Sequence, residues 1–555
     1  MNLDLLKKNV TEKIGLLLLI FSLTFYFLLK LPFNLSARCM SGNEGFYFIF
    51  GHFLHFGFPN SSGPLFVLFY SLILKIFGFG VSSLVVFHFI QTIFVFLIGG
   101  LIYLILTKIL GDKLFAGLGV LLWILIMITP FGKWGPRFEL TTSFSLDAEY
   151  FCVLFSLFSI YLFVLAEEGS LCFLSGIFAG CSFVSKASGA ILSLAVICWL
   201  VYMFFFNKKE LQKLKGKFIL FFIGLFLVLL FCSVFLLLFR ENLFLFWKNY
   251  FIVGSYSKSY LSTFLSFSTA VFNIMTRETS SVSNFLLFFF TLIFFAWGLT
   301  RNFVNKLNPN SYDLYIPLIS IWFIGNVCTL VAAGAYSSYY YTLLWPSVVM
   351  LLIIGIKDLY DIADNFPVFK RVYILVIVSF LAIFFSYRGV VLFPVYTELI
   401  KEYLSTNVFL QKESSQKRRT GILGMGDAIN NLLPGTKDTF FAFNFTRGDL
   451  SLGPNIYIYA KRLPSTVITS DFLHFQKYIN KVSDKLIKDL TLNPPKLIIA
   501  PEKIQLPSGL EKDAASFLYW FASFTLKNYH LVYSLSYELD EGNTTRTYKI
   551  FERNY

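Results

Sequence analysis

Between residues 14 and 387 the chain returns repeatedly to apolar runs of about twenty residues, and few folds can use such runs. The hydrocarbon core of a bilayer is about 30 Å thick and takes about 20 helical residues to cross. Inside it every backbone N–H and C=O must be satisfied internally, which leaves bundled helices as the solution for runs of this length. The candidate spans are 14–31, 81–106, 114–130, 148–166, 171–186, 188–206, 218–239, 282–299, 314–333, 340–356 and 372–387, eleven in all. Composition agrees, with 56% hydrophobic and 14% charged residues and a mean hydropathy of +0.69. Ordinary soluble domains run at about 45–50% and about 25%. A single soluble enzyme, a collagenous chain and a disordered chain are all excluded.

The charges divide the chain unevenly. Residues 1–388 carry 26 Lys/Arg and 16 Asp/Glu, whereas the much shorter 389–555 carries 20 and 16, close to the soluble norm. This predicts a transmembrane domain over 1–388, with long outer loops at 32–80 and 240–281, and an external soluble domain over 389–555. The outer loops are rich in aromatics and too short in their apolar stretches to span, so they read as helices lying in the membrane interface. In the tail, GMGDAINNLL reads as a helix, and Phe440–Phe445, Leu497–Ala500 and the stretches HLVYSLSY and RTYKIFER read as strands. Helices interleaved with short apolar strands make a small α/β domain. The glycines of GILGMGD follow no strand, so they open a helix and are not a nucleotide fingerprint.

The net charge of +14 is not a nucleic-acid footprint, because much of it sits in short loops where the positive-inside rule puts it. With the N-terminus cytoplasmic, fifteen Lys/Arg fall in cytoplasmic segments, among them Lys208, Lys209, Lys213, Lys215 and Lys217. Eight fall in the longer outer loops up to Arg277. Glu167 and Glu168 run against the pattern, though acidic residues weigh little in it. An odd span count then places the tail outside. Seven cysteines give no disulfide framework, since six lie in or beside apolar runs and the tail has none.

Outer-side acids are scarce, and an ionisable group at the bilayer edge is a functional candidate. They are Glu44 in the first outer loop, Glu139, Asp147 and Glu149 near the fourth span, then Glu241 and Glu278. Asp147 and Glu149 are two apart, so on a helix they would diverge by about 200°. His52 and His55 invite a metal reading with Glu44. On a helix, however, Glu44 and His55 would lie about 16 Å apart, and two histidines are too few ligands. No metal and no cofactor is expected.

Glu44 stands in Gly42-Asn43-Glu44-Gly45-Phe46-Tyr47, followed by Gly57-Phe58-Pro59, Gly63-Pro64-Leu65 and Phe77-Gly78. Downstream come Asp147-Ala148-Glu149-Tyr150 and Gly176…Gly180 with Ser185-Lys186-Ala187-Ser188-Gly189. Then follow Tyr339-Tyr340-Tyr341 through Trp345-Pro346, and Asn493-Pro494-Pro495-Lys496 in the tail. In order and spacing this set resembles the C-type glycosyltransferase superfamily, specifically the bacterial relatives of dolichyl-phosphate-mannose protein mannosyltransferases and lipid A aminoarabinose transferases. Asn43 stands where that family has Asp, Tyr339 where it has His, and Ser61-Ser62 where the aminoarabinose enzymes have a lysine before the proline helix.

The resemblance implies a bundle of about eleven transmembrane helices with a small α/β domain. The implied activity is an inverting hexosyl- or pentosyltransferase using a polyprenyl-phosphate-linked sugar donor. The acceptor would be a glycan, lipid or protein on the outer face of a bacterial inner membrane, with the tail periplasmic. Membrane lipids would be partners and nucleic acid would not. Such a donor is already activated, so transfer needs a base for the acceptor hydroxyl and cations for the departing phosphate. Glu44 is the expected base, with Asp147 and Glu149 the other catalytic candidates. Asn43, Tyr47, Arg137, Lys186, Arg277 and Tyr339 are the expected substrate-binding residues. Two other classes compete. A lipid-linked glycan transporter or flippase would bring broken spans and midplane charges, whereas charges here sit at span ends. A receptor or scaffold would not need so many spans.

Overall fold

The computed structural model describes residues 3–36, 39–40, 43–56, 62–128, 136–166, 169–206, 208–239, 241–253, 315–333 and 338–363. Beyond these it describes 389–404 without 391 and 402, then 421–433, 435, 438–443, 455–466, 479–502, 511–538 and 545–554, and isolated positions 293, 296, 372, 375, 379 and 386. The helices are α1 (Leu3–Asn34), α2 (Asn43–Phe53), α3 (Pro64–Phe77), α4 (Val81–Leu110), α5 (Lys113–Ile128), α6 (Pro136–Ser143), α7 (Ala148–Leu165), α8 (Gly169–Ser185), α9 (Ala190–Phe206), α10 (Lys208–Leu238) and α11 (Leu243–Val253). After them come α12 (Ile316–Ala333), α13 (Ser338–Tyr341), α14 (Trp345–Ala363), α15 (Gly421–Leu432), α16 (Asn455–Ala460), α17 (Ile479–Leu492) and α18 (Glu511–Asn528). The strands are β1 (Phe440–Ala442), β2 (Leu497–Pro501), β3 (Tyr529–Glu538) and β4 (Thr545–Arg553). The expected spans 282–299 and 372–387 lie almost wholly outside the described residues.

Two compact units emerge. The first comprises Met1–Asn34, Ser61–Phe66 and His88–Leu404, and the second Leu35–Asn60, Val67–Phe87 and Ser405–Tyr555.

The first unit is a helical membrane bundle. Among the described residues five helical stretches are long and apolar enough to cross a bilayer: Val10–Asn34, Val81–Leu110, Ala148–Leu165, Ala187–Phe205 and Leu214–Leu238. Lipid is as apolar as leucine, so helices in it associate through close packing and buried polar contacts. Both devices operate around α8. A Cβ on Gly176 would sit 1.9 Å from the Phe221 carbonyl oxygen of α10, and one on Gly224 of α10 would sit 2.2 Å from the Phe173 carbonyl oxygen. Only glycine lets the two backbones approach this closely. On its other side α8 meets α7 through a serine ladder. Ser156 and Ser182 hydroxyls lie 2.9 Å apart, Ser159 and Ser175 lie 3.1 Å apart, and Ser182 Oγ donates to the Cys152 carbonyl at 2.9 Å.

The second unit carries a four-stranded sheet in the order β1-β2-β4-β3. β1 runs parallel to β2, while β2–β4 and β3–β4 are antiparallel. β2 reads as an unbroken apolar run because both of its faces are covered. Ile498 and Ala500 join Phe441, Phe443, Leu486, Leu490, Phe517 and Phe521, so α17 and α18 cover one face. Leu497 and Ile499 join Phe440, Met425, Ile429, Ile456 and Tyr457, so α15 and α16 cover the other. The small α/β domain read from the tail is present, and GILGMGD does begin a helix.

α2 departs from expectation. Its Phe50 belongs to the first of these cores and its Ile49 to the second. It is therefore a structural member of the sheet unit, not a helix presenting its apolar side to lipid. In α3, by contrast, Leu72, Ile76 and Phe77 are exposed.

Candidate functional site

In the first unit the serine ladder continues into an ion pair. Glu149, Cys152, Ser156 and Ser159 recur at intervals of three, four and three on α7, one stripe along one face. Ser175, Ser182 and Lys186 follow the matching face of α8 and its end. At the top of both stripes the Lys186 ammonium bonds Glu149 Oε1. Glu149 is fully buried and the Lys186 side chain is 12% exposed. Burying two charges costs several kcal/mol per ion unless they are paired and hydrogen-bonded, so this pair needs its framework.

That framework converges from four directions. Lys186 breaks the helix with extended backbone (φ −159°, ψ 146°) before a 3-10 turn over Ala187–Gly189. Ser62 pairs with it in an antiparallel bridge, and the Gly63 amide donates to the Ser185 carbonyl at 2.7 Å. A Cβ on Gly63 would sit 1.9 Å from the Val184 carbonyl oxygen and 2.6 Å from the Tyr250 hydroxyl. Glycine is therefore required there by close approach. Tyr250 donates to the Phe183 carbonyl at 2.6 Å. The Tyr340 ring completes the site, 4.7 Å from Lys186 Nζ, a cation–π contact. Glu149 Oε2 is buried and accepts no hydrogen bond among the described residues.

Asp147 is also fully buried, but it stands at the position before α7 with extended backbone (φ −98°, ψ 162°). The expected helical divergence from Glu149 does not apply, because Asp147 is not on the helix. Behind it runs a polar network that none of the sequence motifs marks. Lys30 of α1 is fully buried, bonds Gln91 Oε1 of α4 and lies 5.5 Å from the Phe144 ring. Gln91 Nε2 donates to the Ser143 carbonyl at 3.2 Å, and the Tyr150 hydroxyl donates to the same oxygen. The available signal was an ionisable residue at 30 facing amides and imidazole at 88 and 91, all inside apolar runs.

Glu44 belongs to the second unit, at the first turn of α2, and is 1% exposed. Its Oε2 accepts the Met40 amide at 2.7 Å. α16 grips the same segment twice: Asn455 Oδ1 accepts the Gly45 amide at 2.8 Å, and the Tyr459 hydroxyl accepts the Cys39 amide at 2.6 Å. Asn43 and Tyr47 are half-buried, and the Tyr47 ring meets Tyr70 edge-on at 5.5 Å. α2 ends at Phe53, so His55 is off the helix that carries His52. Among the described residues no three His, Cys, Asp or Glu side chains gather as metal ligands would. Of the remaining expected residues, Arg137 falls in α6, Tyr339 in α13, and Arg277 outside the described residues.

No protein-family model matches the chain, and no curated protein matches its sequence. Among solved structures the fold is similar to that of the archaeal oligosaccharyltransferase AglB from Archaeoglobus fulgidus, solved in complex with an inhibitory peptide and a dolichol-phosphate. The TM-score is 0.51 at 13% identity, over 96% of this chain and 74% of that one. The chain thus shares the fold of this oligosaccharyltransferase, and its long apolar helices are those of an integral membrane protein.

Proposed function

We propose that the protein is a membrane glycosyltransferase that moves a sugar from a polyprenyl-phosphate carrier to an acceptor hydroxyl. The carrying observation is the fold, similar along 96% of the chain to an oligosaccharyltransferase bound to a dolichol-phosphate. The acceptor oxygen attacks the anomeric carbon, the sugar–phosphate bond breaks, and polyprenyl phosphate departs with the bonding electrons. A base takes the hydroxyl proton. Inversion follows from a single displacement.

Lys186 supports this reading in the membrane unit. Its ammonium is desolvated, fixed by Glu149 and stacked on Tyr340. A preorganised cation in a low-dielectric setting stabilises a developing phosphate charge without reorganising. Glu44 is assigned as the base within its own unit, with Asn43 and Tyr47 beside it. Arg137, Arg277 and Tyr339 remain assigned to the substrate. Residues 389–555 are assigned to the outer, periplasmic side of a bacterial inner membrane.

The test is incubation of the purified full chain with a panel of radiolabelled polyprenyl-phosphate sugars and candidate acceptors. Release of free polyprenyl phosphate with one sugar is the expected result. Transport of an intact lipid-linked sugar across proteoliposomes, without release, would replace the transferase reading by the flippase one.

A further inference from the structure

We propose that an anionic phospholipid binds in a groove along α10, with its headgroup at the end of the membrane bundle opposite the Glu149–Lys186 pair. The groove encloses about 770 Å³. Its walls are apolar, with Phe218, Phe222 and Phe226 following one another at helical spacing and Leu200 of α9 closing one side. Polar groups enter only at one end, where Lys215 and Gln212 line it. An acyl chain fits the aromatic length, and a headgroup phosphate fits the lysine end.

Charge commits the occupant. Residues 208–217 hold five lysines against the single acid Glu210. α10 is continuous from Lys208 into the span Leu214–Leu238, so these basic turns sit where the helix meets the bilayer surface. Lysine clusters next to a membrane helix attract anionic headgroups. On the helix, position 208 shares a face with 212 and 215. Any lipid-facing helix offers an apolar surface, but this concavity ends in a cation and an amide, which a zwitterionic annular lipid does not need.

Position separates this site from the reaction. Lys217, two residues from Lys215, donates to the Ala166 carbonyl at the C-terminal end of α7. Glu149 is in the first turn of α7. The eighteen residues of that helix hold the two ends about 27 Å apart along its axis. A phosphate at Lys215 is therefore not the phosphate that Lys186 would hold, and the inference does not depend on the transferase reading.

The experiment uses the full chain in nanodiscs of equal phosphatidylglycerol and phosphatidylcholine, followed by native mass spectrometry of the lipids retained on detergent release. The expected result is retention of phosphatidylglycerol over phosphatidylcholine above the bulk ratio. Lys215→Ala should cut that preference about fivefold, the weight of one surface lysine for an anionic headgroup. Ile223→Trp, which fills the groove without changing charge, should lower total retention. Lys108→Ala, at the end of α4, should leave both unchanged. Retention at the bulk ratio by the wild-type chain would overturn the proposal, as would indifference to Ile223→Trp. Stoichiometric displacement of phosphatidylglycerol by added polyprenyl phosphate would overturn it too, by making the groove a carrier site.

Discussion

At the scale of single residues, the buried acids behave differently because their partners differ. Glu44 bonds a backbone amide, an interaction that a glutamine side-chain oxygen can also make. Glu44→Gln should therefore leave the fold intact and remove only basicity, lowering turnover by about 10²–10⁴, the usual worth of general base catalysis. Steady-state release of polyprenyl phosphate measures this, and an unchanged rate would remove Glu44 from the chemistry. Glu149 instead pairs with Lys186. Lys186→Met should destabilise the bundle by about 3–5 kcal/mol, because it strands a buried carboxylate. Adding Glu149→Gln to Lys186→Met should recover most of that stability, since both charges are then gone. Carrier binding should stay lost in the double variant. Thermal melting and binding of labelled polyprenyl phosphate, read side by side, separate the structural role from the functional one. Recovery of binding along with stability would show that Lys186 holds no phosphate.

At the scale of elements, two features of the sheet unit store avoidable cost. α16 ends with Lys461 in the left-handed region (φ 51°), with Lys461 N–H bonding the Ile458 carbonyl and Arg462 N–H the Tyr457 carbonyl. This is the terminal arrangement that glycine usually serves. Lys461 is exposed, so Lys461→Gly loses little packing and should stabilise by about 0.5–1 kcal/mol, the left-handed penalty less the greater freedom of unfolded glycine. Slower hydrogen exchange at Asn455–Ala460 would register it, and faster exchange would mean the lysine side chain stabilises the turn. Asp489 lies in the last turn of α17, the wrong end of the helix dipole for an anion. Burial raises its carboxyl above the usual range, with Lys485 and Lys488 pulling the other way. Protonation therefore favours the folded tail, and this destabilisation grows as pH rises through the folded-state value. Asp489→Asn should add about 0.3–1 kcal/mol at pH 7. The gain should vanish below the ordinary carboxylate range, where the wild-type group is already neutral. Hydrogen exchange of Leu497–Pro501 at two pH values measures the difference.

At the scale of the whole molecule, the helical unit and the sheet unit are not consecutive stretches of chain. The sheet unit takes Leu35–Asn60 and Val67–Phe87 from the first loop region as well as the tail. Asn455 and Tyr459 hold the backbone on either side of Glu44, so the tail shapes the segment that carries the expected base. Topology is tested by reporters after Lys215 and after Tyr555, which should report opposite sides of the membrane. Reporters on the same side would undo both the outer placement of the tail and that of Glu44.

Apolar periodicity settled the membrane class and the α/β tail, because both are local. A run of twenty apolar residues has one use, and Leu497–Ala500 between turn residues has one conformation that buries both faces. Motif order singled out Glu44, Glu149 and Lys186 as candidates without telling their partners. Tertiary structure alone decided that Glu149 answers Lys186, 37 positions away, and that Tyr340 lies over it. It also decided that Lys30 is buried against Gln91, and that α2 belongs to the sheet. The physical reason is common to all four. A buried charge or a two-faced helix is stabilised by groups distant in sequence, and only the packed chain brings those groups within hydrogen-bonding reach.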